Sequence, residues 1–222
     1  MLTAGRSRTC GWQPRRRACR TSDALRVYAS FQSEETTIPK RPTKDELLKA
    51  AGRTVADIIA PGLDVLFCGI NPGLYSAATG HHFARPGNRF WPALHLGGFT
   101  PRLLAPHEEN QLLTWNLGMT IIVRRGTATA AELTPAEYVA GGRALVRKLR
   151  KYKPRMLAVL GVGAFRAAFA KPTTQLGLQP DPIADTPAWL LPNPSGLNAN
   201  YQLPDLTRLF RELHDYVRDN PG

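Results

Sequence analysis

Residues 63–73 read LDVLFCGINPG. The stretch from Leu63 to Gly69 is a short apolar run rich in strand formers, and Val65–Cys68 carries no polar side chain, as expected of a strand buried on both faces. Gly69, Pro72 and Gly73 then end it. Residues 70–88 stay rich in glycine, proline and serine with little periodicity, a long loop of the kind that usually carries function. The same buried-strand pattern returns at Met156–Leu160 (MLAVL) and Ala188–Leu191 (AWLL), the latter followed by a second stiff loop, PNPSGLN, at 192–198.

Helical patterns separate these runs. Thr43 with Glu46 forms a capping box, and Leu47, Leu48, Val55, Ile58 and Ile59 extend an expected helix to the Pro61-Gly62 stop. Further helices are expected over Asn88–Leu96, Pro106–Leu113 and Pro135–Tyr152. The last is strongly amphipathic, with Tyr138, Leu145, Val146, Leu149 and Tyr152 on one side and Arg143, Arg147, Lys148, Arg150 and Lys151 around the other. Gly161–Gly163 opens a helix through Phe169, and Pro204–Val217 closes the chain with Leu206, Leu209, Phe210, Leu213 and Val217 on one stripe. Strands alternating with helices at this spacing predict an α/β sandwich with a mainly parallel sheet. Both odd loops follow the carboxyl end of an expected strand, the edge of such a sheet where ligands bind, so they are expected to face one crevice.

Composition narrows the classes. The chain has 222 residues, 43% of them hydrophobic, which is enough for one packed domain and excludes a wholly disordered protein. No apolar stretch is long enough to span a membrane, and three cysteines without CxxC spacing argue against a disulfide scaffold or a zinc ribbon. The net charge of +12 points to a polyanionic partner. Half of it lies in residues 1–30, where seven arginines (Arg6, Arg8, Arg15, Arg16, Arg17, Arg20, Arg26) face the single acid Asp23. Residues 1–42 therefore read as a basic, unstructured extension and 43–222 as the folded domain. Three readings of the extension stay open: an organellar transit peptide, a basic arm that scans phosphates, or a translational artefact or simple disorder. Without import, the location expected of a bacterial chain is the cytoplasm, at the nucleoid.

The loops limit the chemistry. Asn71, between Gly69 and Gly73, offers an amide that can hold a water by its oxygen or bind a planar ligand edge, or else simply close a turn. Phe83 can stack on a base or pack beneath its own loop. Leu197, at the tip of Asn193–Asn198, is placed to act as an apolar wedge or to fold back. Arg85 and Arg89 are candidates for phosphate contact or solvated surface. His81-His82 lacks the further partners of a zinc site, and Cys68 falls inside a buried strand, so neither a metal nor an organic cofactor is expected. Neither a GxSxG elbow, a GxxxxGK[ST] loop nor an HExxH helix occurs.

Taken together, GINPGLYSAATGHHFARPGNRFW and LPNPSGLN resemble the two signature segments of the mismatch-specific uracil-DNA glycosylases, the family of bacterial Mug and thymine-DNA glycosylase. The resemblance runs from about Ala60 to Arg218 and includes GMTIIVRRGT and AGGRALVRKL. It implies a three-layer α/β/α sandwich with a short, mainly parallel central sheet. The implied activity is monofunctional hydrolysis of the N-glycosidic bond of uracil, and of lesions such as etheno-cytosine, opposite guanine in double-stranded DNA, by base flipping and without a cofactor. The implied enzyme is a monomer that initiates base excision repair. By match to the motifs, Asn71 positions the attacking water. Phe83 stacks on the extruded base, the backbone at Gly69 and Ile70 hydrogen-bonds its edge, and Ser76 meets the 5-position of the pyrimidine. Asn193 and Ser195 support base and phosphate, while Gly196 and Leu197 enter the duplex. Tyr75 departs from the pattern and is expected to narrow the pocket mouth; Ala199 stands where a basic residue is usual. Two other readings stay open, a non-catalytic reader of mismatched or abasic DNA and a superfamily glycosylase with a different lesion range.

Overall fold

The structure, a computed structural model, describes residues 41–221, so the arginine-rich segment 1–40 lies outside the described residues. Four strands run parallel in the order β2-β1-β3-β5: β1 (Val65–Gly69), β2 (Leu117–Ile121), β3 (Met156–Leu160) and β5 (Ala188–Leu191). The two-residue β4 (Gly177–Leu178) pairs antiparallel on the outer edge of β5.

Strand alternation divides the core into two halves. Val65, Phe67, Met156, Ala158, Leu160, Trp189 and Leu191 face one side, against Phe90, Trp91 and Leu94 of helix α3 (Phe90–Leu96) and Leu206, Leu209, Phe210 and Leu213 of α6 (Leu203–Asp219). Leu66, Cys68, Leu157, Val159 and Leu190 face the other, against Leu145 and Leu149 of α4 (Pro135–Tyr152) and Phe165 of α5 (Val162–Phe169). This is the expected α/β/α sandwich. Two short helices, α1 (Lys44–Lys49) and α2 (Leu74–Thr79), contact one another outside these layers.

Helix α4 starts where its capping box requires, with the Thr134 N–H donating to the Glu137 carboxylate (2.8 Å) and the Glu137 N–H to Thr134 Oγ1 (3.3 Å). Gly141 on its inner face is required by close approach, because a Cβ there would overlap the carbonyl of Ile122. Gly141→Ala is therefore expected to destabilise by about 1–3 kcal/mol through overpacking, although the same change in an open helix would stabilise by up to about 1 kcal/mol. A lower urea midpoint at unchanged slope is the expected readout.

Three sequence expectations change. The first helix ends at Lys49 instead of running to Ile59: Gly52 turns the chain at φ +81° and bonds to Gly126, and Ile58 then pairs antiparallel with Met119. Strand β2 was not anticipated. Its Gly118 interrupts the apolar run because the backbone of Ile58 lies too close, 2.6 Å from where a Cβ would stand. Finally, residues 70–88 contain α2, and Pro106–Trp115 forms a 3₁₀ helix.

Candidate active site

The carboxyl ends of the parallel strands open into a cleft of about 350 Å³. Gly69, Ile121 and Leu160, the last residues of β1, β2 and β3, line it, together with Asn71 and Phe83 of the first loop and Asn193 and Leu197 of the second. The two loops thus share one crevice.

Asn71 is oriented by its nitrogen. Nδ2 donates to Thr127 Oγ1 (2.7 Å), the Arg125 carbonyl (3.0 Å) and the Pro72 carbonyl (3.2 Å). Thr127 spends its own hydroxyl proton on the Thr129 carbonyl (2.8 Å), so it can only accept from Asn71. Three acceptors facing one amide atom identify that atom as nitrogen. Oδ1 is left without a protein donor among the described residues. The two readings of Asn71 are compatible, because the nitrogen closes the loop and the oxygen remains to hold a water.

Around Asn71 the turn offers donors. The Gly69 carbonyl accepts from the Ile122 N–H (3.0 Å) and the Ile70 carbonyl from the Val123 N–H (2.9 Å). What this backbone can present to a ligand edge is therefore N–H groups.

Phe83 is held in a left-handed backbone conformation at φ +51°. A non-glycine residue keeps such a conformation only where its surroundings impose it. Here Glu109, only 5% exposed, accepts from the His82 N–H (2.8 Å) and bonds the His81 ring at Nδ1 (2.9 Å). The His82 ring bonds the Ala56 carbonyl (2.9 Å), and the Trp91 indole donates to the His82 carbonyl (3.3 Å). Burial pushes the His82 pKa below its usual 6.5, so the ring is neutral near pH 7. Its protonation opposes folding only as the pH falls below that ordinary value. One face of Phe83 stacks on Phe90 at 4.2 Å, and its edge would lie 3.2 Å from a Cβ at Gly69. Phe83 is thus both packed on Phe90 of α3 and part of the cleft lining.

Ser76 lines the cleft, but its hydroxyl accepts the Ala84 N–H (3.1 Å) and so also fastens the Phe83 turn. Tyr75, expected to narrow the mouth, is not among the residues lining the cleft. The two histidines are engaged by Glu109 and Ala56. Burial pushes the Cys68 thiol up to about 12, leaving it inert.

The second loop is built from its own side chains. Asn193 Oδ1 accepts the Ser195 N–H (3.1 Å), and Ser195 Oγ accepts the Leu197 N–H (3.3 Å). The Asn198 amide donates to the Asn193 carbonyl (2.9 Å). Gly196 is needed because a Cβ would come within 2.5 Å of the Gly87 carbonyl, where the first loop touches the second. Leu197 does not fold back; it is 69% exposed at the tip.

A sequence profile described as the uracil DNA glycosylase superfamily matches residues 56–218, most of the chain. The chain belongs to that superfamily. Among solved structures, its fold is similar to the solution NMR structure of "a putative Uracil DNA glycosylase" from Methanosarcina acetivorans, at 16% identity and a TM-score of 0.50 over 73% of this chain and 98% of the other. The protein is thus a DNA glycosylase, a hydrolase of DNA repair.

In this glycosylase the nine residues singled out from the sequence lie at the end of β1 and in the two segments 70–88 and 192–198, and all but Gly196 line the cleft; Gly196 packs against Gly87 beside it. Sequence reading missed Thr127 and the segment 127–130, which walls the cleft and orients Asn71. It also placed Arg89 on the solvated surface or a phosphate, whereas the guanidinium is half-buried under the second loop. Among the described residues, no carboxylate and no lysine lines the cleft.

Proposed function

We propose that this glycosylase removes uracil, and related lesions such as etheno-cytosine, mispaired with guanine in double-stranded DNA. The observation that carries the reading is that Asn71, with a free amide oxygen, and Leu197, an exposed apolar tip, line the same cleft. A mispaired base costs least to extrude, and Leu197 fills the space it leaves. The extruded ring lies against Phe83. Donor N–H groups at the Ile70–Asn71 turn suit the carbonyl oxygens of uracil, and the uncommitted Asn193 Nδ2 adds another donor. The Ser195 hydroxyl keeps its proton for a phosphate.

The C1′–N1 bond breaks with its electron pair leaving on the base, whose anion is stabilised by these donors. A water held by Asn71 Oδ1 forms the new C1′–O bond and gives up its proton to solvent, and the base is protonated on release. An amide is a poor proton acceptor, and no carboxylate among the described residues lines the cleft, so catalysis rests on leaving-group stabilisation and the reaction is slow. The reaction read here is hydrolysis, with free base and an intact abasic strand as products; among the described residues, no lysine lines the cleft to form a Schiff base.

Leu197→Ala tests the wedge. Because the side chain is exposed, the melting temperature is expected to stay within about 1 °C of the parent. The single-turnover rate on a G·U duplex is expected to fall about 10–100-fold, the cost of a lost wedge contact. An unchanged rate removes Leu197 from the mechanism.

A further inference from the structure

Building on the uracil reading above, we infer that Arg89 is the positioning residue that shapes the wedge loop before DNA arrives. The side chain crosses from the end of the first loop to the underside of the second. Nη1 donates to the carbonyls of Ser195 (3.2 Å), Asn198 (3.0 Å) and Tyr201 (3.0 Å). Nη2 donates to the Gly196 carbonyl (3.4 Å) and to Gln202 Oε1 (3.0 Å). The Arg89 N–H donates to the Pro194 carbonyl (2.9 Å). One residue thereby binds most of the turn from 194 to 202.

Three consequences follow. Drawing these carbonyls inward fixes the turn from beneath while the Leu197 side chain stands outward at its tip. The acceptors are all neutral, and among the described residues no carboxylate pairs with Arg89, so a full positive charge stays under the surface that would meet phosphates. A loop already ordered by this fan does not have to be ordered by the duplex, which removes an entropic cost from each encounter. Lysine can substitute only in part, since a compact ammonium has three donors at one point where the guanidinium has a planar fork. Arg89 lies two residues from Gly87, which touches Gly196, so the end of the base-holding loop and the wedge loop are joined as one body.

Arg89→Ala and Arg89→Lys test this in the full chain by two readouts. The first is hydrogen exchange, where the amides of 195–201 are expected to exchange at least about tenfold faster in Arg89→Ala while β1 and β3 keep their protection. The second compares single-turnover release of uracil opposite guanine with uracil opposite an abasic-site analogue, where no pairing needs breaking and no plug is required. The expected result is a loss of about 30-fold or more on G·U and less than about threefold on the unpaired uracil, with Arg89→Lys between parent and Arg89→Ala on G·U. Equal losses on both substrates, or unchanged exchange in 195–201, overturn the positioning role while leaving the uracil reading intact. A parent enzyme that cuts G·U but not the unpaired uracil also overturns it. A parent inert on both overturns the uracil reading, and the wedge role with it.

Discussion

Asn71→Ala is expected to reduce single-turnover uracil release by about 10³-fold, the scale associated with losing the group that positions a nucleophile. Binding to the abasic-product duplex is expected to stay within about threefold, since the amide oxygen faces the water and not the strand. Asn71→Asp is the sharper variant. A carboxylate is the better base in water, so chemistry alone predicts a faster enzyme. The site predicts the opposite, because one carboxylate oxygen would take the place of Nδ2 against the Pro72 and Arg125 carbonyls. Only Thr127 could turn to donate, and only by releasing Thr129. Asn71→Asp is therefore expected to be slower than the parent at pH 7 and to recover as the pH falls, when a protonated carboxyl again places a donor toward those carbonyls. A variant faster than the parent at pH 7 contradicts the orientation assigned to the amide.

Glu109→Ala is expected to carry the largest stability cost, about 2–4 kcal/mol, measured as a lower urea midpoint. Glu109 is buried and lies outside the cleft lining, yet it bonds both the His82 N–H and the His81 ring; its removal leaves a buried donor unpaired and frees the turn that keeps Phe83 left-handed. Activity per folded molecule is expected to fall about tenfold as the Phe83 ring loses its fixed place. Glu109→Gln supplies the control. Its carbonyl can accept from the His82 N–H and its amide reaches the His81 ring, so it is expected to remain within about 1 kcal/mol of the parent. A Gln variant as damaged as the Ala variant shows that the negative charge itself, and not hydrogen-bond pairing, holds the turn.

What was legible in the sequence follows the physics of each segment. The buried strands at 65–69, 156–160 and 188–191 carry unbroken apolar runs, and α4 carries a capping box and a clean stripe, so local pattern and tertiary role agree. Strand β2 hid because Gly118 and Thr120 answer to non-local neighbours: Gly118 to the backbone of Ile58, Thr120 to Asp57 and Lys148, which bond its hydroxyl. The first helix was overextended because apolar residues at 55, 58 and 59 fit helical spacing, while Gly52 had already turned the chain. In the site, the loops announced themselves through proline, glycine and asparagine. The partners of Asn71 and of the second loop did not. Thr127 lies 56 residues from Asn71, and Arg89 more than 100 from the carbonyls it gathers, and no spacing rule encodes either contact.

The claim that joins these results is that one cleft both plugs the helix and cleaves the bond. It is tested most directly by incubating the parent protein and Asn71→Ala with a duplex carrying a single G·U pair, then treating with alkali. Free uracil and an alkali-labile break at that position with the parent, and neither with Asn71→Ala, are the predicted results. A duplex left intact by the parent, or cut equally by both proteins, contradicts the account.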